Sequence, residues 1–234
     1  MNLLKRLNIN EYNRQQWLAR VLTELPDGYR ILDAGAGELK NRVYCNHLNY
    51  VSQDFCEFQG RGECNEGLQF NGWDTSRIDI VSDISDIPEP DASFDAILCS
   101  EVLEHIPEPT HALDEFARLL KPGGVLILTA PFSSNVHMSP YYFCTGFSKY
   151  WYEYHLVQRN FNITELVANG DWYTLLRQEI MRLGGVDRQG GIWVWPIGYA
   201  YALLGLLYFG LRGKYLREDI ACFGWHVLAV KRTV

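Results

Sequence analysis

The chain has 234 residues, 47% hydrophobic, 14% aromatic and 21% charged, a composition that supports a compact globular core and excludes disorder and collagen-like repeats. Twenty-one Lys and Arg against 28 Asp and Glu leave a formal charge of -7, which argues against a broad basic surface and so against nucleic acid as a partner. The six cysteines, at 45, 56, 64, 99, 144 and 222, form no C-x-x-C pair and read as reduced thiols in a chain long enough to fold without cross-links. The opening Met1–Leu7 lacks the apolar stretch and small-residue cleavage site of a secretory signal, so a cytoplasmic location is expected.

In chain order, Glu11–Leu25 reads as a helix, followed by the turn Pro26-Asp27-Gly28 and a buried strand over Tyr29–Ala34. A second strand, Tyr50–Asp54, arrives so soon that the intervening helix has at most about three turns. Residues 56–76 form a polar excursion without periodicity. Arg77–Asp83 is expected as the third strand and Phe94–Ser100 as the fourth, because the prolines of Ile87-Pro88-Glu89-Pro90-Asp91 exclude helix and central strand between them. From Thr110 the pattern becomes helical, with Leu113, Phe116, Ala117 and Leu120 on one face and Lys121-Pro122-Gly123-Gly124 as its stop. Val125–Ala130 follows as the fifth strand, Phe147–Gln158 as a helix, Phe161–Val167 as an extended segment, and Phe223–Val230 as a closing strand. This alternation predicts an α/β domain, doubly wound, with a mostly parallel sheet covered by helices on both faces.

Ligands of such sheets sit beyond the carboxyl ends of the strands, where the strand order reverses. The first strand ends in Asp33-Ala34-Gly35-Ala36-Gly37-Glu38, whose glycines permit a tight turn and let backbone amides approach a ligand. The second ends in Asp54, placed to accept hydrogen bonds from ribose hydroxyls. A dinucleotide site would carry a third glycine where this chain has Lys40. An acid before the first glycine suits a ligand bearing an ammonium group and no phosphate, and S-adenosylmethionine fits that description. Asp83-Ile84 could then take the adenine amino group and a ring nitrogen, and Ser100-Glu101 would lie beside the methionine portion.

The motifs Ile31-Leu32-Asp33-Ala34-Gly35-Ala36-Gly37, Asp54, Ser93-Phe94-Asp95-Ala96-Ile97, Glu101-Val102-Leu103-Glu104-His105-Ile106-Pro107 and Leu119-Leu120-Lys121-Pro122-Gly123-Gly124 follow one another across residues 30–132. In that order they resemble the class I S-adenosylmethionine-dependent methyltransferases, in particular the short domain of ubiquinone-pathway O-methyltransferases. The resemblance implies a seven-stranded Rossmann-like methyltransferase fold. Asp33, Gly35 and Gly37 would line the methionine part of the cofactor, Asp54 would hold the ribose, Phe55 would flank the adenine, Asp83 and Ile84 would read its edge, and Ser100 would border the sulfonium. One domain is expected, with an N-terminal helical lead over 1–28, a cofactor-binding core over 29–132, an acceptor-side segment over 133–172, a helical apolar insertion over 173–220 and the last strand in 221–234.

Methyl transfer from a sulfonium needs alignment and exclusion of water, and a hydroxyl acceptor would gain from a general base. His137, just beyond the fifth strand, is the candidate catalytic residue, with a loop-bracing hydrogen bond as its bland alternative. His105 is read as structural. Tyr141, Tyr142, Phe143, Phe147, Tyr150, Trp151, Tyr152 and Tyr154 form either an acceptor-facing aromatic wall or ordinary core. No His, Cys or acid group has ligand spacing along the chain, so no metal is expected. Ile192–Leu211 carries no charge over twenty residues, and Pro196, Gly198, Gly205 and Gly210 interrupt it. Its Trp and Tyr side chains, with Arg212, Lys214 and Arg217 beyond, suit a helix lying on a membrane surface, while a homo-oligomer contact or internal packing are its alternatives. The expected acceptor is a small molecule, a sugar or glycoconjugate, or a lipid-linked intermediate. Nicotinamide-dependent oxidoreduction and a non-catalytic, membrane-associated cofactor-binding protein remain the competing functions.

Overall fold

The computed structural model describes residues 8–58, 60, 67, 68, 72–211 and 217–233. Its elements are α1 (Ile9–Thr23), β1 (Arg30–Ala34), β2 (Asn49–Asp54), β3 (Ile80–Val81), β4 (Phe94–Ser100), α2 (Pro109–Leu119), β5 (Leu120–Pro131), α3 (Lys149–Gln158), β6 (Phe161–Asn169), α4 (Trp172–Gln189), α5 (Trp195–Leu211) and β7 (Gly224–Lys231), with short 3-10 turns at Lys40–Tyr44 and Leu103–His105. The strands form a 7-stranded sheet in the order β3-β2-β1-β4-β5-β7-β6. Successive pairs from β3 to β5 are parallel and β7 runs antiparallel to β5. The chain reverses its direction of travel across the sheet between β1 and β4, so their carboxyl ends flank the crevice in which such sheets hold ligands.

The central strands read as apolar runs because both faces are covered. Ile31 and Leu32 of β1 and Ala96 to Cys99 of β4 have no solvent exposure. On one face Trp17, Leu18, Val21 and Leu22 of α1, one stripe of the helix, pack with Ile31, Leu98 and Ile127. In α2, Ala112, Leu113, Phe116 and Leu119 are buried at helical spacing, and Pro109 at its first turn costs no hydrogen bond.

Three expectations change. The third strand shrinks to Ile80–Val81 because the Asp79 carboxylate accepts from the Ser52 amide at 2.9 Å and the Ser52 hydroxyl at 2.7 Å, replacing backbone ladder bonds just before it. The helix expected after the glycine turn is only the 3-10 turn Lys40–Tyr44. Lys121-Pro122-Gly123-Gly124 does not lie between elements: it belongs to β5, whose pairing with β4 shifts register between Phe94 and Ala96. Gly123 has φ 80 and a Cβ on Gly124 would meet the Lys121 carbonyl at 2.8 Å, so the two glycines permit a bulge rather than end a helix.

Two compact units emerge from the packing. One takes in the described residues up to Asn13 with Ala168–Phe223; the other takes in Arg14–Val167 with the chain from Gly224. Within the smaller unit, buried Asn169 donates to the Asn10 side chain at 2.8 Å and accepts from Asn13 at 3.2 Å. Asp171 caps α4, accepting from the Thr174 amide at 2.9 Å in a reciprocal capping box. A Cβ on Gly184 would meet the Tyr199 ring at 2.7 Å and one on Gly205 would meet Ile180 at 3.0 Å. These crossed positions make α4 and α5 an antiparallel hairpin whose close approach depends on glycine.

Candidate cofactor and acceptor site

The turn after β1 is built around Asp33, which is 1% exposed and accepts from the Tyr50 hydroxyl at 2.6 Å. Burial drives its carboxyl up to about 7 and the nearby Asp54 charge adds to that, while the Tyr50 bond opposes it. Gly35 (φ 76) and Gly37 (φ 50) take the left-handed backbone that glycine tolerates, and a Cβ on Gly35 would strike Val102 at 2.5 Å. The Gly35 and Ala36 amides donate to the Gln53 carbonyl at 2.9 Å, tying the turn to the end of β2.

Asp54, 3% exposed, accepts the Gly37 amide at 2.9 Å on one oxygen and the Cys56 amide at 2.9 Å on the other. It therefore locks the turn as well as standing at the strand end. Phe55 beside it meets Tyr141 edge-on, with ring centroids 5.0 Å apart. Asp83 is exposed, and its carboxylate accepts from the Ser85 amide at 2.7 Å and hydroxyl at 2.6 Å, which holds its pKa below the ordinary value; the neighbouring Ile84 side chain is buried. Ser100 shares a 2.8 Å hydrogen bond with Thr129 across β4 and β5. Glu101, in left-handed backbone at φ 56, pairs with Arg14 at 2.9 Å, whereas exposed Glu38 pairs with Lys40 at 3.1 Å.

Beyond β4 and β5 the chain brings together a group that sequence spacing missed. Glu104, His105 and His137 each offer a ligand atom, all within 4.8 Å of one another. Glu104 is 1% exposed; burial and the Glu101 charge hold its carboxyl well above the ordinary range. Burial pushes His105 down to about 4, and its Nδ1 lies 2.6 Å from the Tyr141 carbonyl. His137 has Nδ1 2.8 Å from the Asn135 carbonyl, and its ring stands edge-on to His105 at 4.6 Å. The loop-bracing contact foreseen for His137 is therefore present, and the His105 ring braces the same loop through the Tyr141 carbonyl. Two histidines on separate loops give no local signal; only the return of the β5 loop over the β4 end joins them.

Part of the aromatic run is core, and part packs beside the strand ends. Phe147 and Tyr152 are buried, with Trp151 packed on both and on His155. Tyr141 meets Phe55, and Tyr142 faces His137 at 5.3 Å while its hydroxyl donates to the Ser134 carbonyl at 2.6 Å. Tyr150 and Tyr154 are exposed, at 67% and 64%.

Residues 32–128, which carry the glycine turn, Asp54, Asp83 and the Glu104-His105 pair, match a family model described as a methyltransferase domain. This core is similar to methyltransferase domains. A ubiquinone biosynthesis O-methyltransferase of Xanthomonas oryzae pv. oryzae is 49% identical over 107 residues, which are 44% of this chain and 43% of that protein. The chain thus aligns with less than half the length of that relative. Among solved structures, the [4+2]-cyclase SpnF covers 95% of this chain and 82% of its own at TM-score 0.59 and 19% identity. A Haemonchus contortus phosphoethanolamine N-methyltransferase 2 in complex with S-adenosyl-L-methionine covers 95% of this chain and 53% of its own, at TM-score 0.54 and 14% identity. At such identities the methyltransferase fold is what is shared, and a cyclase among its bearers makes the site, not the fold, the ground for assigning chemistry.

Proposed function

We propose that this protein is an S-adenosylmethionine-dependent O-methyltransferase acting on a small or lipid-linked hydroxyl acceptor. The observation that carries the reading is the convergence, at the reversal point of the sheet, of a buried carboxyl held by a single hydroxyl (Asp33), a glycine turn with two left-handed residues, and a second strand-end acid (Asp54). The residues fit the cofactor: a buried acid whose pKa has risen to about 7 draws no support from a cation among the described residues, and a ligand bearing ammonium and sulfonium charge supplies one. The curated relative named for ubiquinone O-methylation supports oxygen as the accepting atom.

In this reading Asp33, Gly35 and Gly37 line the methionine portion, Asp54 accepts from the ribose hydroxyls, and Phe55 covers the adenine. Asp83 and Ile84 border the base edge, and Ser100 lies beside the sulfonium. Bound S-adenosylmethionine supplies an electrophilic methyl group for in-line displacement. The protein has to align the acceptor oxygen, exclude water and assist loss of its proton. His137, close to Tyr142 and His105, is the residue proposed to serve that proton. His137→Ala is expected to lower kcat by about 10²–10⁴-fold with little change in affinity for S-adenosylhomocysteine. Transfer of labelled methyl to hydroxyl acceptors, together with calorimetry of both cofactor forms, tests the reading; no binding of either form at millimolar concentration would defeat it. The nicotinamide reading is weakened by Lys40 in place of the third glycine and by β7, which lies antiparallel between β5 and β6 where a dinucleotide sheet continues in parallel.

The α4–α5 hairpin supports a lipid surface as the place of action. No helix among the described residues is long and apolar enough to cross a membrane. Yet Trp193 is 86% exposed, Leu203 68% and Leu204 66%, in a segment whose α5 has no charged residue. Trp193, Trp195, Tyr199, Tyr201 and Tyr208 have the amphipathic rings that favour an interface. Arg212 and Lys214, read as part of this anchor, lie outside the described residues. The full chain is expected to sediment with anionic phospholipid vesicles, and Leu203→Glu/Leu207→Glu to stay in solution with an unchanged unfolding midpoint. Equal partition of the two would dismiss a membrane role for the hairpin.

A further inference from the structure

We infer that Trp73 is a cofactor-contacting residue whose indole forms the ribose-side wall of the S-adenosylmethionine site. The inference deepens the methyltransferase reading and rests on it. Trp73 belongs to the polar excursion over residues 56–76, which has no periodicity and no part in the site described so far.

Three observations carry it. First, the indole lies on the glycine turn. A Cβ on Gly37 would meet Cε3 of Trp73 at 3.4 Å and Cζ3 at 3.5 Å, ordinary van der Waals separations, so the ring rests on the bare backbone without displacing it. The Gly37 amide is the group that Asp54 accepts at 2.9 Å. Through that one glycine the indole adjoins the acid proposed to hold the ribose.

Second, contacts at both ends of the excursion fix the ring. Phe58, 5% exposed, packs against it with ring centroids 5.1 Å apart. The Cys56 thiol shares a hydrogen bond with the Thr75 side chain, which joins the start of the excursion to its end. Directly after Trp73, Asp74 accepts from the Ser76 amide at 3.1 Å and hydroxyl at 2.6 Å. Leu68 donates its amide to the Val136 carbonyl at 2.8 Å, so the same stretch of chain also reaches the loop that carries His137. A ring held this way is preorganised, and little of its ordering is left for a ligand to supply.

Third, the indole is only half-buried although Phe58 against it is covered. Asp54 beside it is 3% exposed. An open apolar ring face next to a buried carboxylate gains a use when a sugar arrives, because it covers the ribose and keeps water from the Asp54 oxygens. Hydrogen bonds to that carboxylate are then made at lower dielectric, where they are stronger. Phe55 and Trp73 thus divide the adenosine between them, one at the base and one at the ribose.

The test uses the full chain with S-adenosylhomocysteine and adenosine as probes. In calorimetry Trp73→Ala is expected to weaken both by about tenfold or more, since both carry the ribose, and Trp73→Phe to stay within about threefold of wild type. Trp73 emission, taken as wild type minus Trp73→Phe, is expected to become less accessible to acrylamide when S-adenosylhomocysteine saturates the protein. A ring that merely packs the turn would keep its accessibility. That comparison still decides if Trp73→Ala does not fold. Unchanged quenching at saturation would overturn the wall, as would Trp73→Ala binding S-adenosylhomocysteine within about twofold of wild type. A loss confined to S-adenosylhomocysteine, with adenosine unaffected, would overturn the ribose-side assignment. No heat from the wild type with either probe would remove the methyltransferase reading and the wall with it, whereas normal heat with an unresponsive Trp73 removes the wall alone.

Discussion

Asp33→Asn is expected to stabilise the ligand-free protein at pH 8 and to weaken S-adenosylmethionine binding by more than tenfold. The native carboxyl ionises at about 7 against an ordinary 3.8, chiefly because it is buried. Between those values the folded state holds a proton that the unfolded state has released. Stability therefore falls as pH rises from about 4 to about 7 and is level above. A shift near three units corresponds to a loss on the order of 4 kcal/mol at pH 8. Asparagine is neutral throughout and its carbonyl oxygen can still accept from Tyr50, so the variant should escape that loss. Urea unfolding at pH 5 and pH 8 measures it: the wild type should lose midpoint on going to pH 8 and the variant should not. A cationic ligand reverses the balance, because it favours the ionised acid. Wild-type affinity for S-adenosylmethionine should fall below pH 7, approaching about tenfold per unit, and the Asp33→Asn protein should show a flat, weaker profile. Parallel pH profiles for the two proteins would remove Asp33 from the cofactor site.

Asp54→Ala combines two losses. Its carboxylate holds the Gly37 and Cys56 amides, each at 2.9 Å, so deletion leaves two donors without their acceptor in a buried turn. Each orphaned group costs about 1–3 kcal/mol, and the urea midpoint should drop accordingly. In the proposed function the same oxygens accept from the ribose, where hydrogen bonds to a charged group contribute about 1.5–3 kcal/mol each. Affinity for S-adenosylhomocysteine should therefore fall about 10²–10⁴-fold. Asp54→Asn separates the effects: it keeps one acceptor for the turn, so most of the stability should return while affinity stays reduced. Calorimetry finding Asp54→Ala within about threefold of wild type would show that the acid serves the turn alone.

Much of the fold was legible because the signals are local. Apolar runs mark β1 and β4 since both faces of a parallel strand are covered, and the Leu113-Phe116-Ala117 stripe marks α2 since a helix repeats every 3.6 residues. The glycine turn was legible for the same reason: left-handed backbone at Gly35 and Gly37 favours residues without Cβ, and at Gly35 a Cβ would also strike Val102. The third strand was overdrawn because Arg77–Asp83 has strand-like composition, while the Asp79–Ser52 hydrogen bonds that truncate it join residues 27 positions apart. Lys121-Pro122-Gly123-Gly124 reads as a stop by composition, and only pairing with β4 reveals a bulged strand.

What the sequence determined by itself is which residues stand at or beside the ends of the central strands: periodicity sets an element's type, and that places Asp33, Asp54 and Ser100 at one edge of a sheet. What only the tertiary structure decided is which side chains meet across that edge. The rise of Asp33 to about 7, the doubly engaged oxygens of Asp54, and the approach of His137 to Glu104 and His105 each depend on distance between groups far apart in the chain. Burial and electrostatic coupling depend on separation in space, and separation in space is settled only when loops return over the sheet.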